Sequence, residues 1–410
     1  MFSIIFVIIV SGSLYYTSFI RNALLIPFLF LLVIYFLNRP KEINKHKIMM
    51  LLFAGILTVS NIDFVTSSLL VLFSCLVCAM IVTEVINFEE FAKVYIKIIL
   101  FLSVVSWFYL PLILFDIPSP LPDFISLVDK PYSNFVLFGI RHAEITTMLD
   151  NFYHVDRNSG LFWEPGAFQI FVNTAFYLSI LQKQISRNRI LIFLITILTI
   201  ASTTGMLVFC LLSVACYSRT KRYRTRRRNR RISVLAVVLF IIFVMSTIFN
   251  NTLEKFQEGS NSNASFLARS TDCLVDTKIV LENLWQGVGY GNISVHENYA
   301  IEIMGNALYQ AVGAPGSDGL LLFLSYVGIF GVVLIGRLVY PSQVRNWSKL
   351  EKGLIVIAIA LMYNNENMTM YLFPWIMMFY GFSKHSRSAD LANTESHSFK
   401  AVYLTSIKSG

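Results

Sequence analysis

The sequence predicts an all-α integral membrane protein with about 12 transmembrane helices and two long external loops. Two observations support this fold class. Apolar runs of about 20 residues recur from one end of the chain to the other, and only 14% of the 410 residues are charged, against roughly 25% in a soluble domain. A transmembrane β-barrel would instead show short segments of alternating hydrophobicity. No fixed-period repeat or separate soluble segment divides the chain, so residues 1–410 are interpreted as one polytopic membrane domain.

The apolar runs give the predicted spans in chain order. The first is 2–20, and the chain begins MFSIIFVIIVSGSLYY. It has neither a basic region nor a small-residue cleavage site, so we interpret it as a retained span and not as a signal peptide. An even number of spans places both termini on the same side of the membrane, which the charge distribution assigns to the inside. The remaining spans are 23–37, 48–60, 64–83, 98–116, 161–182, 190–200, 206–218, 232–249, 318–336, 353–363 and 370–382.

Two of the apolar stretches are predicted to fold back as pairs of short helices. Residues 190–217 have basic residues at both ends, so a single helix would place one basic end outside. Two helices joined by a small polar tip at 201–205 restore the orientation, although each is shorter than the hydrocarbon core. Residues 353–382 repeat this pattern around a polar tip at 364–367. Such tips must be buried in protein or line a watery cavity.

The net charge of +9 is unevenly distributed along the chain. The six segments assigned to the cytoplasm hold 26 of the 33 Lys and Arg residues, which agrees with the positive-inside rule. The densest block, 219–231, is interpreted as a cytoplasmic topology anchor, with a site for anionic lipid as the alternative. Nucleic acid is therefore not an expected partner. The cytoplasmic segments are 38–47, 84–97, 183–189, 219–231, 337–352 and the tail from 383.

The two long external loops, 117–160 and 250–317, are where we expect any chemistry. At the end of the first loop, the stretch RNSGLFWEPGAF contains Arg157 and Glu164 at the mouth of a span. Pro165 suits the first turn of a helix, where its missing N–H would have no partner. Glu164 then lies at the positive end of the helix dipole. From these residues alone, Glu164 is either a helix cap paired with Arg157 or a functional carboxylate.

Other charged and polar residues in the two loops are candidates for the same chemistry. Guanidinium groups bind phosphate oxygens through paired hydrogen bonds, so external arginines beside the membrane favour a pyrophosphate ligand. A carboxylate nearby suits a general base or the stabilisation of a sugar cation, and apolar spans suit a long lipid tail. The further candidates are Arg141, His142, His154, Arg269, Lys278 and His296.

Two patterns are interpreted as structural. The sequence GVGYG at 287–291 is not preceded by a predicted strand, so it indicates close turns and not a dinucleotide site. Four of the five cysteines lie in apolar runs, and only Cys273 falls in an external loop. We therefore predict neither a disulfide framework nor a metal site.

The order of these motifs resembles that of the bacterial O-antigen and capsule polymerases of the Wzy type. The motif R-x-x-G-x-x-x-E-P-G at 157–166 begins a span, and the Ser/Thr-rich tip STTG at 202–205 follows it. Arg269, then Ile279 and GVGYG, is similar to the second-loop pattern of that family. GIFG at 328–331 in the next span also fits the resemblance.

The resemblance implies a glycosyltransferase of the bacterial cytoplasmic (inner) membrane that acts on the periplasmic or external face. It would transfer the growing O-antigen or capsule glycan from undecaprenyl pyrophosphate to a new lipid-linked repeat unit, with no metal or other cofactor. Arg157 and Arg269 would bind the pyrophosphate leaving group and neutralise its charge. Glu164 would activate the acceptor hydroxyl or orient Arg157, and Arg141 and His296 are second choices for the site. Membrane lipid and a chain-length regulator protein are the other implied partners.

Two other functions stay open. The related O-antigen ligases use the same donor but transfer the glycan to lipid A core or protein. They tend to have a histidine followed by asparagine just before the next span, whereas His296 is followed by Glu297 and lies more than twenty residues before that span. A lipid-linked oligosaccharide flippase or another transporter should bury ionisable residues within its spans. This chain has its charges in loops and tips, so the polymerase is preferred.

Overall fold

The computed structural model of the protein is mostly helical, as predicted. The predicted span at 232–249 lies outside the described residues, as do almost all of 23–37 and most of 48–60. The same holds for most of the basic block 219–231. The structure describes residues 2–13, 33, 45, 47–49, 51–52, 67–115, 132–135, 138–146, 152–223, 261–305, 319–344, 347–369 and 371–382.

Within the described residues the main chain forms twelve α-helices and three β-strands. A short 3₁₀ turn at Ser342–Val344 lies between the tenth and eleventh helices. The elements are α1 (Phe2–Gly12), α2 (Ser67–Val85), α3 (Phe88–Leu114), β1 (Tyr132–Phe135), β2 (Phe138–Thr146), β3 (Phe152–Gly160), α4 (Pro165–Leu181), α5 (Arg187–Ile200), α6 (Thr203–Tyr223), α7 (Asn261–Glu282), α8 (Ile293–Met304), α9 (Leu320–Val327), α10 (Phe330–Val339), α11 (Lys349–Asn364) and α12 (Leu372–Tyr380).

Helix α4 is the centre of the helical bundle. Residues 165–180 are all buried, and the helix contacts α3, α5, α6 and α11 as well as β3. A helix that is largely apolar around its whole circumference is stable in such a buried position. Its polar residue Asn173 donates from Nδ2 to Gln169 Oε1 at 3.0 Å and to the Gly205 carbonyl oxygen at 3.1 Å. The second of these bonds attaches α4 to the first turn of α6.

Both predicted fold-backs are present as helix pairs. Helix α5 ends at Ala201, which takes up the left-handed conformation with φ 51°, and α6 begins at Thr203. The Ser202 hydroxyl accepts a hydrogen bond from the Gly205 N–H at 3.1 Å, as a helix N-cap does. The second pair is α11 and α12, which are separated by residues 365–371. The predicted tip at 364–367 overlaps this connection, but Asn364 is the last residue of α11.

The predicted loop 117–160 contains a β-sheet, so the expectation of an all-α fold is incomplete. The three strands are antiparallel in the order β1-β2-β3. Helix α3 contacts all three strands, β3 also contacts α4 and α5, and β2 contacts α7. Tyr109 of α3 stacks on Phe138 of β2 with ring centroids 4.7 Å apart. The sheet therefore connects the first loop to the bundle and to a helix of the second loop.

Two predicted spans have different boundaries in the structure. The span at 318–336 is not one helix, because Gly328, with φ +66°, separates α9 from α10. A Cβ at this position would lie 2.5 Å from the Trp285 carbonyl oxygen, so only glycine allows the break between α9 and α10 to lie against the backbone of Trp285. The span at 98–116 belongs to a 27-residue helix, α3, that starts ten residues earlier. Its start is capped by Asn87, whose Oδ1 accepts from the Glu90 N–H at 2.9 Å.

Segments predicted to lie on the same side of the membrane contact one another. The Arg219 guanidinium lies 4.1 Å from the ring centroid of Trp347, and both residues belong to predicted cytoplasmic segments. Arg269 of the second predicted external loop donates to Asn365 of the second tip at 3.0 Å. These contacts therefore bring together segments that the charge distribution assigns to the same side.

The described helices differ in their suitability for crossing a membrane. One segment, Phe88–Leu112, is long and apolar enough to do so, and a single such helix is weak support for a membrane protein. Helix α3 nevertheless exposes Phe101 and Phe108, 66% and 72% respectively. Residues seven apart lie on one face of a helix, so α3 has an apolar outer surface. The shorter apolar segments are Ser3–Gly12, Leu70–Val85, Pro165–Leu181 and Thr203–Arg219.

Candidate functional site

The start of α4 has the backbone geometry that the sequence predicts. Glu164 occupies the N-cap position with φ −148° and ψ 153°, and Pro165 is the first helical residue. The Glu164 side chain makes no capping hydrogen bond to the first turn. Glu164 therefore lies at the positive end of the helix dipole, which favours a negative charge, while the helix itself does not use its carboxylate. This weakens the hypothesis that Glu164 is only a cap.

Arg157 of β3 contacts the C-terminal end of α5. Its Nε donates to the carbonyl oxygen of Ile200 at 3.3 Å. The last carbonyl groups of a helix have no partner within the helix and carry its negative dipole end, so a guanidinium is favourable there. Because Ile200 directly precedes the tip at 201–205, this bond joins the first predicted external loop to the Ser/Thr-rich tip.

Arg141 lies next to Arg157 in the sheet. The register of β2 and β3 pairs Arg141 directly with Arg157, and His142 with Asp156. Directly opposed residues of antiparallel strands share one face of the sheet. The register therefore places a second arginine position directly beside Arg157.

Arg269 of α7 reaches the second tip. Its Nη1 donates to Asn365 Oδ1 at 3.0 Å, and its Nη2 lies 3.5 Å from Glu366 Oε1. Asn365 Nδ2 donates to the same Glu366 oxygen at 3.3 Å. The Arg269 side chain is 44% exposed and that of Glu366 is 11% exposed. A buried carboxylate thus holds a guanidinium that is open on its other side.

Glu366 packs against the first turn of α4. A Cβ at Gly166 would overlap Oε1 and the carboxyl carbon of Glu366, so glycine is required for the carboxylate to lie there. The neighbouring Asn364 caps α9, since its Oδ1 accepts from the N–H groups of Leu320 and Leu321, each at 3.1 Å. The second tip therefore joins α4, α7 and α9 at one end of the bundle.

Sequence reasoning did not assign a role to Glu366. It identified the tip at 364–367 and the motif that contains Gly166, but not their contact. A carboxylate placed between two apolar helices is costly and is therefore a functional candidate by itself. That signal could have pointed to Glu366.

His296 lies in a different environment. Its side chain is 1% exposed and its Nε2 is hydrogen-bonded to Oδ1 of Asp276, which is fully buried. Asp276 follows Arg269 by seven residues on α7, about 10 Å along the helix axis. The His296–Asp276 pair joins α8 to α7, so its burial favours a structural role. The proposed contribution of His296 to the chemistry stays a prediction.

The rest of the second loop is held by close turns and ion pairs. Gly287, Gly289 and Gly291 have positive φ values of 67°, 91° and 78°, which fits the interpretation of GVGYG as a turn sequence. Lys278 Nζ lies 2.6 Å from Glu302 Oε1, and this hydrogen bond raises the pKa of Lys278. Lys278 thus joins α7 to α8.

Three of the predicted site residues lie on segments that adjoin the N-terminal end of α4. Glu164 is its N-cap, Arg157 lies in the strand that precedes it, and Arg269 approaches it through Glu366. In the part of the chain that the structure describes, no three His, Cys, Asp or Glu side chains form a group that could hold a metal ion. All five cysteines are unbridged.

Comparison with known proteins gives no family assignment for this site. A scan against models of protein families, a search of curated proteins and a search of solved structures each found no match.

Proposed function

We propose that this protein is a membrane glycosyltransferase that polymerises lipid-linked oligosaccharide repeat units. It acts at the external face of the bacterial cytoplasmic membrane, which it crosses about twelve times. Its donor is a glycan on undecaprenyl pyrophosphate, and its acceptor is a new lipid-linked repeat unit. The product is an O-antigen or capsule polysaccharide, with a chain-length regulator protein as an expected partner.

The observation that supports the proposal most strongly is that two arginines from separate loops contact segments at the two tips that pack against α4. Arg157 belongs to the first predicted external loop and contacts Ile200, next to the tip whose Gly205 accepts a hydrogen bond from Asn173 of α4. Arg269 belongs to the second and contacts the tip that packs on Gly166. Guanidinium groups bind phosphate oxygens with two hydrogen bonds each. Two of them beside tips that pack on the same helix would suit a pyrophosphate.

The same residues suit the transfer reaction. Glu164 takes the proton of the acceptor hydroxyl while the hydroxyl oxygen bonds to the anomeric carbon of the donor sugar. The bond between that carbon and the pyrophosphate oxygen breaks, and undecaprenyl pyrophosphate leaves with the bonding electron pair. Arg157 and Arg269 neutralise the charge that develops on the leaving group. Arg141, which the register pairs with Arg157, is the second choice for a further cationic group of the site.

The membrane location is supported by three features of the chain. The charge split between the predicted cytoplasmic and external segments follows the positive-inside rule. The apolar outer surface of α3 suits contact with lipid. The polar tip at 201–205 adjoins buried residues of α4, as tips within a membrane protein must.

The positions of the buried ionisable groups disfavour a transporter. Among the described residues, the buried ion pair of Lys47 and Glu84, 2.9 Å apart, belongs to the predicted cytoplasmic end of α2. Glu366 belongs to the opposite end. Neither forms a charged path through the middle of the bundle, which a transporter should have. The ligase shares the proposed donor chemistry and is separated from the polymerase by its acceptor.

Arg157→Lys and Arg269→Lys are expected to shorten the glycan strongly while the amount of membrane protein stays normal. Lysine keeps the positive charge but loses the two-point hydrogen bonding of the guanidinium. We expect the polymerisation rate to fall about 10- to 100-fold, the loss of one charge-assisted hydrogen bond. The measurement is the glycan ladder in a complemented deletion strain, beside the protein level.

The matched control for these substitutions is Arg189→Lys. Arg189 donates to the Gln184 carbonyl oxygen at 2.7 Å in a predicted cytoplasmic segment, so its replacement should leave the ladder unchanged. Wild-type ladders from Arg157→Lys and Arg269→Lys would show that these arginines do not bind the leaving group.

A further inference from the structure

Glu366 is a buried carboxylate that the proposed mechanism does not use. Only 8% of the residue is exposed, and it lies in the tip between α11 and α12. Burying a carboxylate is costly unless positive charge or hydrogen bonds compensate. Here the compensation comes from Arg269, the Asn365 amide and the N-terminal end of α4. These three come from three separate elements of the chain.

The contacts of Arg269 leave one edge of its guanidinium open. Nη1 and Nη2, which form the end of the group, are directed to Asn365 and Glu366. The remaining edge is formed by Nε and the second hydrogen of Nη2. Within the described part of the chain, Asn365 and Glu366 are the hydrogen-bond partners of this side chain. The group is 44% exposed, so its open edge is accessible to a ligand.

A guanidinium held at one edge binds an oxyanion better at the other. A free arginine side chain loses rotamer freedom when it binds a ligand, and this loss of entropy weakens binding. Glu366 and Asn365 fix the guanidinium before the ligand arrives, so this cost is met in folding. Glu366 in turn is fixed, because Gly166 and Asn365 contact its carboxylate.

We propose that Glu366 is a positioning residue: it holds Arg269 beside the start of α4 so that the open guanidinium edge binds a polyprenyl pyrophosphate. This inference rests on the proposed function, because it concerns the ligand of the same site. Glu366 acts through Arg269 and does not touch the reacting atoms. Its contact with Gly166 also ties the second predicted external loop to the end of the first.

The experiment measures binding of farnesyl pyrophosphate, a short polyprenyl pyrophosphate, to the purified full-length chain by calorimetry. Glu366→Gln keeps the shape of the side chain and removes its charge. In the wild-type background we expect it to weaken binding about tenfold, the loss of one charged partner of a hydrogen bond. In an Arg269→Gln background the same substitution should cause no further loss of binding, because Glu366 acts on the ligand only through Arg269.

The control variant is Glu351→Gln. Glu351 is also buried, 4% exposed, but it belongs to the capping box at the start of α11, away from Arg269. It should leave binding unchanged, and its thermal midpoint shows what the loss of a buried carboxylate does to stability alone. A midpoint for Glu366→Gln below that of the control, with equal loss of binding in both Arg269 backgrounds, would give Glu366 a purely structural role.

Two results overturn different claims. Wild-type binding that Glu366→Gln does not change would reject the positioning role and leave the proposed function standing. A wild-type chain that does not bind farnesyl pyrophosphate at all would reject the proposed donor and, with it, the role of Glu366.

Discussion

Glu164→Asn is expected to give a normally expressed protein whose cells accumulate single lipid-linked repeat units. Asparagine is among the best N-cap residues, and the Glu164 side chain makes no capping bond that could be lost. The start of α4 should therefore remain intact. A general base contributes about 10²–10⁴-fold to a rate, so its removal should nearly abolish polymerisation. The glycan ladder and the membrane-fraction protein level, measured together, separate these two effects.

Glu164→Asp provides the comparison for this substitution. Aspartate retains the charge and caps as well as asparagine does, but its carboxylate lies one methylene group closer to the backbone. We expect a partial ladder, since the base is present but displaced. A full ladder from Glu164→Asn would leave the arginines as the whole of the proposed site.

Gly166→Ala should disrupt the site by displacing Glu366. Alanine is about 1 kcal/mol better than glycine within a helix, so the backbone alone predicts a small gain in stability. The added Cβ, however, would overlap the Glu366 carboxyl group. Overpacking of this kind costs about 1–3 kcal/mol, and it would push Glu366 away from Arg269. We expect a lower thermal midpoint and a glycan reduced to short chains.

A double substitution tests whether the overlap with Glu366 causes the effect of Gly166→Ala. Glu366→Ala removes the three atoms nearest to the added Cβ, so Gly166→Ala should be harmless to stability in that background. Glycan length should nevertheless stay short, because Arg269 has lost its partner. Gly353→Ala on α11 is the control, since an added Cβ there meets nothing within 4 Å. Additive losses of stability in the double variant would contradict the proposed overlap.

The sequence predicted the helical elements where composition and local capping agree. The turn at Ala201 was predicted because the small polar residues of the tip interrupt an apolar run with basic ends. The start of α4 was predicted because Pro165 favours the first helical turn. In both places the local sequence determines the local structure.

The sheet was missed because the connection between its first two strands lacks ordinary turn signals. β1 and β2 are joined by Val136-Leu137, whereas two-residue hairpin turns usually contain Gly, Asn or Asp. The break in the span at 318–336 was missed for a related reason. Gly328 is one of several glycines in an apolar run, and no local pattern distinguishes it from Gly331. The close approach that requires a glycine there is to the backbone of Trp285, which is distant in sequence.

The arrangement of the candidate residues could be predicted only where it is local. Glu164 and Arg157 are seven residues apart in the sequence, so their placement on adjoining segments could be predicted. The pair of Arg269 and Glu366 depends on residues 97 positions apart. Only tertiary packing of α7 against the second tip brings these residues together. The local sequence could mark Glu366 as a carboxylate between two apolar stretches, but it could not identify Arg269 as its partner.

The most direct test of the central claim is reconstitution of the purified chain in liposomes with an undecaprenyl-pyrophosphate-linked repeat unit as the sole substrate. The account predicts glycan chains of increasing length and one undecaprenyl pyrophosphate released for each new linkage, without any nucleotide sugar. Glu164→Asn should release almost none. Two results would contradict the assignment as a polymerase. One is movement of the lipid-linked repeat unit across the bilayer without new linkages, and the other is transfer of the glycan only to added lipid A core or protein.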